Sequence, residues 1–294
     1  MKTIKTNRKH QVLITGASTG IGYASAIYLD KIGYRVFAGV RTESDAQKLK
    51  ENGSENLNPV LLDVCNPESI NTTCDLISKQ LGSDTFSLVN NAGLSLNGPL
   101  EILPMDDIRK LLNVNVLGLL SVIQKYLPLI RKNKGRLVNI SSGHGLLAIP
   151  DKSVYAASKF AVQAISDSLR VELKPFEVSV SNVIVGKVNT SVLGKIENDR
   201  RKMLEGANPE VVREYTQLIE YFDKEVKNIP GIEALEVAKI IGDALNNRKP
   251  KAQYLIGPGA KKMKVLAGFP RKMRDKMLFN AIYKNKKCNN SAEM

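Results

Sequence analysis

The chain has 294 residues, of which 43% are hydrophobic and 24% charged, an ordinary globular composition with enough apolar material for a sizeable core. Cys65, Cys74 and Cys288 form no close pair, and His10 and His144 are the only histidines, so we expect neither a disulfide framework nor a metal site. The polar beginning, and the lack of a later run of about 18 apolar residues, predict no signal peptide and no membrane span, hence a cytoplasmic location.

The formal net charge of +14 is unevenly distributed along the chain. Residues 248–287 contain thirteen of the 43 Lys and Arg but only one of the 29 acids, Asp275, so this segment alone carries +12. The rest of the chain is nearly neutral. We therefore predict one domain over residues 1–260 and a basic C-terminal extension over 261–294.

Short apolar runs alternate with helical stretches from the beginning of the chain. The runs predict seven strands: Val12–Thr15, Val36–Val40, Val60–Leu62, Phe86–Val89, Arg136–Ile140, Val178–Ile184 and Tyr254–Ile256. The longest helical stretches lie around 104–132 and 153–174. This alternation predicts an α/β fold: a Rossmann-type, doubly wound parallel sheet with helices on both faces.

An insertion over about 191–230 interrupts this rhythm before the last strand. Within it, Asn208 and Pro209 are typical of a helix start, with Asn as the N-cap. Apolar residues then recur at spacings of three and four, which predicts one apolar helix face: Val211, Tyr215, Leu218, Phe222 and Val226.

The basic extension contains a second segment of helical periodicity. Pro270 is a suitable first residue for a helix with a shared apolar face, formed by Met273, Met277, Leu278, Ala281 and Ile282. We see three roles for it: packing on the body, lying on an anionic membrane surface, or binding nucleic acid. The last is disfavoured because no recognition motif accompanies the charge.

A glycine-rich turn follows the first strand. Its spacing, G-x-x-x-G-x-G over Gly16–Gly22, lets the backbone approach a pyrophosphate, and the following helix offers free N–H groups at its positive end. The predicted binding residues of this turn are Gly16, Ser18, Thr19, Gly20, Ile21 and Gly22. A glycine turn without a ligand is the alternative.

The end of the second strand distinguishes the two nicotinamide cofactors. Enzymes that use NAD usually place a carboxylate there to bind the ribose hydroxyls. This chain has Val40 in that position and Arg41 next to it, and a guanidinium binds a 2′-phosphate well. The sequence favours NADP(H), unless Arg41 only solvates the strand end.

Residues suited to acid–base chemistry lie near the middle of the chain, between residues 142 and 159. Tyr155 and Lys159 are four residues apart on a predicted helix and share its face, and Ser142 follows the fifth strand. Together with the glycine turn, Asp63-Val64, Asn90-Asn91-Ala92-Gly93, Asn115 and the stretch 185–190, this pattern resembles the short-chain dehydrogenase/reductase family over about residues 9–257. The nearest likeness is to its hydroxysteroid and retinol dehydrogenase branch.

The resemblance implies roles for four catalytic residues. Tyr155 exchanges the proton with the carbonyl oxygen while a hydride moves to or from the nicotinamide, and Ser142 polarises that oxygen. Lys159 binds the nicotinamide ribose, and Asn115 supports a water linked to Lys159. An ordinary tyrosine titrates near pH ~10, and a neighbouring ammonium favours the phenolate, so we expect a lowered pKa for Tyr155.

The resemblance also implies further cofactor contacts. Asp63 and Val64 contact the adenine, Asn90 to Gly93 shape the cleft, and Val188 and Thr190 contact the nicotinamide side. The cofactor contacts expected outside the glycine turn are Arg41, Asp63, Val64, Asn91, Ala92, Gly93, Tyr155, Lys159, Val188 and Thr190. The family usually has Pro-Gly after the sixth strand, where this chain has Val185-Gly186, which leaves the path of that loop open.

Substrate and partners are less well defined by the sequence. The loop 142–149 and the segment 208–227 are apolar, which favours a hydrophobic, steroid-, retinoid- or lipid-like substrate. The alternatives are a 3-oxoacyl, sugar-alcohol or other small-carbonyl reductase, or an NADP(H)-binding redox sensor without turnover. His144 is either a substrate contact or an ordinary loop histidine, and the resemblance implies a homo-oligomer that pairs through the helices around 104–132 and 153–174.

Overall fold

The computed structural model describes residues 10–190 and 192–284, without the side chains of Val192, Val226 and Lys227. Two predictions from the sequence therefore concern residues that the structure does not describe. One concerns Cys288 and the end of the basic extension, and the other places the side chain of Val226 on the apolar helix face.

Seven strands form one sheet in which every pairing is parallel, in the order β3-β2-β1-β4-β5-β6-β9. The strands are β1 His10–Ile14, β2 Arg35–Val40, β3 Leu57–Leu61, β4 Thr85–Asn90, β5 Arg136–Ser142, β6 Ser179–Val185, β7 Val188–Asn189, β8 Ile232–Glu233 and β9 Gln253–Ile256. The short strands β7 and β8 form a separate parallel pair. The predicted seven-stranded Rossmann-type sheet is confirmed.

Twelve α-helices are found in the described part of the chain. They are α1 Gly20–Lys31, α2 Glu43–Asn52, α3 Pro67–Leu81, α4 Met105–Leu112, α5 Leu119–Lys132, α6 Ser153–Glu172, α7 Val192–Glu205, α8 Pro209–Glu214, α9 Thr216–Asn228, α10 Ala234–Asn246, α11 Pro258–Ala267 and α12 Arg271–Tyr283. The predicted helix start at Asn208 is correct, because its side chain accepts a hydrogen bond from Glu210 N at the beginning of α8.

The two faces of the sheet are covered by different helices. Val12 and Ile14 of β1 point to the face covered by α1 and α10, while Leu13, between them, points to the face covered by α3, α5 and α6. Side chains alternate across a strand, so a continuously apolar β1 fills both cores.

One helical stretch, Met105–Lys132, is long and apolar enough to cross a membrane by length and composition alone. In the structure it comprises α4, a π-helical turn at Asn113–Gly118, and α5. Val122, Tyr126 and Ile130 of α5 are fully buried in the core beside β4 and α3. Part of its apolar character is therefore used for packing inside the domain, while Met105 and Leu117 remain exposed.

The basic helix α12 packs only part of its predicted apolar face on the body. Ile282 is buried against Leu218 and Phe222 of α9. Met273 and Met277 are 48% and 45% exposed, so this part of the predicted apolar face does not pack on the body. The predicted face is too wide for one line of contact, because residues 273 and 282 are nine apart and lie about half a turn apart.

Candidate active site

A cleft of about 330 Å³ opens at the carboxyl ends of β1 and β4, where the strand order reverses. This is where open α/β sheets bind ligands. Predicted residues that line it are Gly16, Ser18, Thr19, Gly20, Ile21, Arg41, Asp63, Val64, Asn91, Ala92, Gly93, Ser142, Tyr155, Lys159, Val188 and Thr190. Gly22 and Asn115 lie behind this surface rather than on it.

The glycine turn is packed so tightly against the β4 end that side chains are excluded. Gly16 has a φ of +65°, and a Cβ there would lie 2.8 Å from the Cα of Ala92. A Cβ on Gly22 would collide with the carbonyl oxygen of Gly16. Gly22 is therefore needed for the close packing of the turn. The sequence alone did not distinguish this role from direct contact with a ligand.

The beginning of α1 fits a phosphate-bearing ligand. Thr19, its N-cap, makes no side-chain capping hydrogen bond, and the first turn contains no acidic residue. The first N–H groups of a helix without a side-chain cap need other acceptors, and the helix dipole favours an anion there. Arg41, exposed just after β2, supplies a cation on the same cleft, and it makes no ion pair within the described residues.

The residues after β4 hold the turn in place. The side-chain amide of Asn91 donates to the carbonyl oxygens of Thr15 and Gly16 at 3.0 and 2.9 Å. The Thr15 hydroxyl accepts from the backbone N–H groups of Asn91 and Ala92, both at 3.0 Å. Asn90 points away from the cleft and donates to the side chain of Asn139 at 2.9 Å, so it shapes the cleft only indirectly.

Ser142 and Tyr155 meet at the far end of the cleft. Ser142 ends β5 and Tyr155 lies in the first turn of α6, and both side chains line this end of the cleft, where Ser142 acts to lower the pKa of Tyr155. The Ser142 hydroxyl also accepts from His144 N at 3.3 Å. Two hydroxyls therefore converge on one point, an arrangement able to bind a carbonyl or alcohol oxygen.

Lys159 lies one turn further along α6. Its Nζ is 5.9 Å from the centre of the Tyr155 ring and donates to the carbonyl oxygen of Ile140 at 3.0 Å. Beside it, the Asn115 side chain exchanges hydrogen bonds with the backbone of Leu94, at 2.7 and 2.9 Å. The π-helical turn that carries Asn115 is of the kind often found at functional sites.

Ser158 is a supporting residue that sequence reasoning missed. Its hydroxyl accepts from Asn115 Nδ2 at 3.0 Å and donates to the carbonyl oxygen of Tyr155 at 2.7 Å. It joins the π-helical turn to α6. Its position directly before Lys159 is the feature of the sequence that could have identified it as a supporting residue.

Burial dominates the electrostatics of this end of the cleft. It raises the pKa of Tyr155, although the hydrogen bond from Ser142 acts to lower it. It lowers the pKa of Lys159 to about 8. The expected lowering of the Tyr155 pKa is therefore wrong for the protein alone, because loss of water opposes the phenolate and the ammonium alike.

His144 packs edge-on against Tyr155, with ring centres 5.7 Å apart. Burial, with Lys152 adding a smaller effect, lowers the pKa of His144 to about 3, so its ring is neutral at pH 7. Its Nδ1 is buried and has no partner among the described residues. These contacts are compatible with both roles considered for His144 from the sequence, a substrate contact or an ordinary loop histidine.

A buried amide network under α6 was also missed. Asn139 donates to Ser166, Ser166 donates to Asn182, and Asn182 donates to Gln163, each at 2.7 Å; Gln163 in turn donates to Ser141 at 3.2 Å. Polar side chains inside the apolar strands β5 and β6 were the signal. The network fixes the helix that carries Tyr155 and Lys159 to the sheet.

The substrate side of the cleft is apolar and includes part of the insertion. Ile196 of α7 lines it, and Met203 of α7 packs in a cluster with Leu94, Leu96 and Tyr155. The path after β6 is defined: Val185 extends the strand, and β7 then pairs with β8 before α7 begins.

Comparisons with known proteins agree with this geometry. Residues 10–201 match the family described as short chain dehydrogenase. Short-chain dehydrogenase/reductase family 9C member 7 of Bos taurus is 38% identical over 91% of this chain and 88% of its own, and retinol dehydrogenase 5 of Mus musculus is 32% identical over 91% and 87%. A solved structure described as ElxO with NADP bound is 28% identical, with a TM-score of 0.70, over 86% of this chain and 99% of its own. The chain belongs to the short-chain dehydrogenase family of oxidoreductases, and its relatives include retinol dehydrogenases.

Proposed function

We propose that this protein is an NADP(H)-dependent oxidoreductase that interconverts a hydrophobic alcohol and its ketone or aldehyde. The observation that carries this is the placement of Ser142, Tyr155 and Lys159 together at one end of a cleft whose other end is the glycine turn. Binding a dinucleotide alone would not require that constellation.

Each residue has a defined part in this proposal. The nicotinamide, when bound, gives or takes the hydride. Tyr155 passes its proton to the carbonyl oxygen, while Ser142 donates a hydrogen bond to the same oxygen. Lys159 stabilises the phenolate that remains, and Asn115 braces the backbone beside it. Tyr155 is protonated before carbonyl reduction, as a general acid must be, and burial acts in the same direction by raising its pKa.

The preference for NADP(H) rests on the positive charge at the end of the cleft where the adenosine would bind. Arg41 is exposed at that end, and no acidic residue takes the position of Val40. A guanidinium forms paired, charge-assisted bonds to a 2′-phosphate. The related ElxO structure is described with NADP bound, which supports the same cofactor here.

The hydrophobic substrate is supported by the wall opposite the glycine turn. Ile196, Leu94 and Met203 present apolar atoms close to Tyr155. A 3-oxoacyl or sugar-alcohol substrate would need more polar groups on that wall. The relatives named as retinol dehydrogenases favour a retinoid-, steroid- or lipid-like compound, and so a place in lipid metabolism.

The test is NADPH oxidation by the purified protein over a panel of carbonyl compounds: ketosteroids, retinal, aliphatic and aromatic ketones, a 3-oxoacyl thioester and quinones. Tyr155→Phe and an NADH arm are the controls. We expect NADPH-preferring turnover that falls by about 100- to 10,000-fold in Tyr155→Phe, the usual contribution of a general acid.

Two results would contradict this proposal in different ways. Turnover confined to the thioester or to small polar ketones would replace the hydrophobic substrate by the small-carbonyl alternative. NADPH binding without turnover in either direction would favour a redox sensor. Persistence of turnover in Tyr155→Phe would remove Tyr155 from its role.

We also propose that the protein forms a homo-oligomer through α5 and α6. Phe160 and Val171 of α6 and Leu117 in the π-helical turn before α5 are 43%, 71% and 56% exposed, so these helices offer apolar side chains to a second copy of the chain. Sedimentation equilibrium of the unmodified chain and of Phe160→Glu tests this. A monomer in both samples would contradict it.

For the basic extension we propose peripheral contact with an anionic membrane surface. Residues 258–284 contain eight Lys and Arg and one acid, and Val265, Met273 and Phe279 among them are 67%, 48% and 54% exposed. Exposed apolar side chains among lysines suit an anionic lipid surface. Binding to phosphatidylserine vesicles should fall on deletion of 261–294 and in Lys272→Glu/Lys276→Glu, which keeps Ile282 packed; unchanged binding would contradict it.

A further inference from the structure

A cluster of buried charges stands directly before the helix that carries Tyr155. Asp151, with its side chain only 1% exposed, accepts a hydrogen bond from Arg200 of α7, whose side chain is 9% exposed, at 2.7 Å. Lys152 Nζ lies 3.6 Å from the other carboxylate oxygen. We call Asp151, Lys152, Arg200 and Asp223 the Asp151 cluster.

Arg200 joins three separate parts of the chain in this cluster. Besides Asp151, its Nε lies 3.1 Å from a carboxylate oxygen of Asp223 on α9, a close charge contact without the alignment of a hydrogen bond. One guanidinium thus connects the beginning of α6 to α7 and α9. These two helices belong to the insertion, and α7 contributes Ile196 to the cleft wall.

The backbone at Asp151 is adapted to this position. Its φ of +69° lies in the left-handed region, which Asp and Asn tolerate better than most residues. Its carbonyl oxygen accepts from Gly98 N at 2.9 Å, which fixes the segment after β4 as well. Tyr155 follows only four residues later, so the same short segment holds both the catalytic hydroxyl and the charge that α7 contacts.

Fold stability alone is a poor explanation for these charges. Burying ions costs free energy that their mutual attraction often does not recover, and apolar residues of similar size usually stabilise as well or better. Burial raises the pKa of the Asp151 carboxyl even with two cations beside it, so the desolvation is incompletely compensated. What an ion pair adds over an apolar contact is a defined orientation of the two elements that it joins.

We propose that Arg200 is a positioning residue, which holds α7 against the beginning of α6 through Asp151 and so sets the affinity of the site for its hydrophobic carbonyl substrate. The proposal rests on the function proposed above. In it, α7 supplies the apolar wall and the Asp151 cluster sets its distance from Tyr155. The chemistry and the cofactor site stay independent of this contact.

The test compares Arg200→Met with Arg201→Met, in the NADPH assay with the best carbonyl substrate of the panel. Arg201 is a matched control, because it is the next residue on α7 and its side chain is 69% exposed. Among the described residues, its polar contacts are with Asn198 and Glu205 of its own helix. We expect Arg200→Met to raise KM about tenfold or more, because the variant loses a charge-assisted hydrogen bond that holds α7 in place. Its kcat and its NADPH dissociation constant should stay within about twofold of those of the unmodified chain. Arg201→Met should leave all three unchanged.

Two more variants separate positioning from a general loss of structure. Arg200→Lys should recover part of the KM, and Asp151→Asn, which keeps the left-handed residue type, should raise KM as Arg200→Met does. Combining Asp151→Asn with Arg200→Met should raise KM by less than the two separate changes together, because both variants remove the contact between Asp151 and Arg200. Hydrogen exchange should be faster over 192–228 in Arg200→Met and unchanged over β1 to β4.

The outcomes distinguish this inference from the proposed function. Turnover by the unmodified chain with an unaltered KM in Arg200→Met would overturn the inference alone. A fall in kcat or in NADPH affinity equal to the change in KM, or faster exchange throughout the sheet, would also overturn it, because the cluster would then be structural. Absence of turnover by the unmodified chain would overturn the proposed function and this inference with it.

Discussion

The nucleotide side of the molecule and its substrate side are held together in different ways. The sheet is enclosed by two clusters of 23 and 20 buried hydrophobic residues among those described. The substrate side, formed by α7 to α9 and α12, rests on two clusters that contain three buried residues each. Polar contacts add to this attachment, among them the buried charges of the Asp151 cluster and the hydrogen bond from the Tyr215 hydroxyl to Glu101.

This difference indicates that substrate specificity can change on the substrate side without a change in the sheet. A large apolar core unfolds as one unit, whereas elements with few buried contacts open separately at a lower free energy. The substrate side of this chain can therefore open or change while the sheet, the glycine turn and the site of Ser142, Tyr155 and Lys159 stay in place. Substitutions on the two sides should affect different quantities.

The largest effect should come from Gly22→Ala on the nucleotide side. The new methyl group would collide with the carbonyl oxygen of Gly16 and approach the Asn91 amide, both of which form the turn. We expect a loss of stability above the about 1–3 kcal/mol that overpacking usually costs, and loss of NADPH binding. Thermal melting and NADPH fluorescence measure both, and a stable variant that binds NADPH normally would contradict the packing described here.

The next test separates the two sides directly. Leu13→Ala removes a side chain that is fully buried in the sheet core and should lower the free energy of unfolding by about 2–5 kcal/mol. Phe222→Ala, at a position buried under α12, should instead speed hydrogen exchange in α9 and α12 while the main melting transition moves little. Equal falls in melting temperature would show that the two sides unfold together.

Arg41→Ala should change cofactor choice without changing stability. Losing a charge-assisted contact of about 1.5–3 kcal/mol would weaken NADPH binding about ten- to a hundredfold, while NADH binding stays the same. Arg109→Ala is the control, because the ion pair that this exposed arginine makes within the described part of the chain is with Asp106 of its own helix. If NADPH and NADH binding weaken equally, Arg41 does not contact the 2′-phosphate.

Much of the nucleotide side could be predicted from the sequence, and little of the substrate side could. Apolar runs identify buried strands because a parallel sheet is covered on both faces, and the spacing from Gly16 to Gly22 defines the turn. The contact between Asp151 and Arg200 spans 49 positions, and no local pattern indicates it. The raised pKa of Tyr155 was missed for a related reason: burial depends on what the rest of the chain places around a residue.

The pH dependence of stability reports the burial of Lys159. Its pKa is lowered to about 8 in the folded protein, against about 10.4 when unfolded. Between these values the unfolded chain binds more protons, so stability should rise with pH across this window, by at most about 1.4 kcal/mol per pH unit for one group. Lys152, also lowered to about 8, adds to the rise.

Lys159→Met isolates the contribution of Lys159. The variant should be more stable than the unmodified chain near pH 7, should gain less stability between about pH 8 and pH 10, and should lose turnover. Urea titrations at several pH values measure the first two. Parallel curves for the two proteins would mean that Lys159 is hydrated in solution and that the cleft end near Tyr155 is open to water.

The smallest expected effect lies on the substrate side, at Gly194 in α7. This glycine is exposed, and a methyl group there would meet no described atom within 4 Å. Alanine is favoured over glycine in a helix by about 0.5–1 kcal/mol, so Gly194→Ala should slow hydrogen exchange over 192–205 and leave the sheet unchanged. If a stiffer α7 also lowers the KM for a bulky carbonyl, helix order itself limits substrate affinity. If exchange slows and KM does not move, substrate affinity depends on where the Asp151 cluster places α7 rather than on how rigid α7 is.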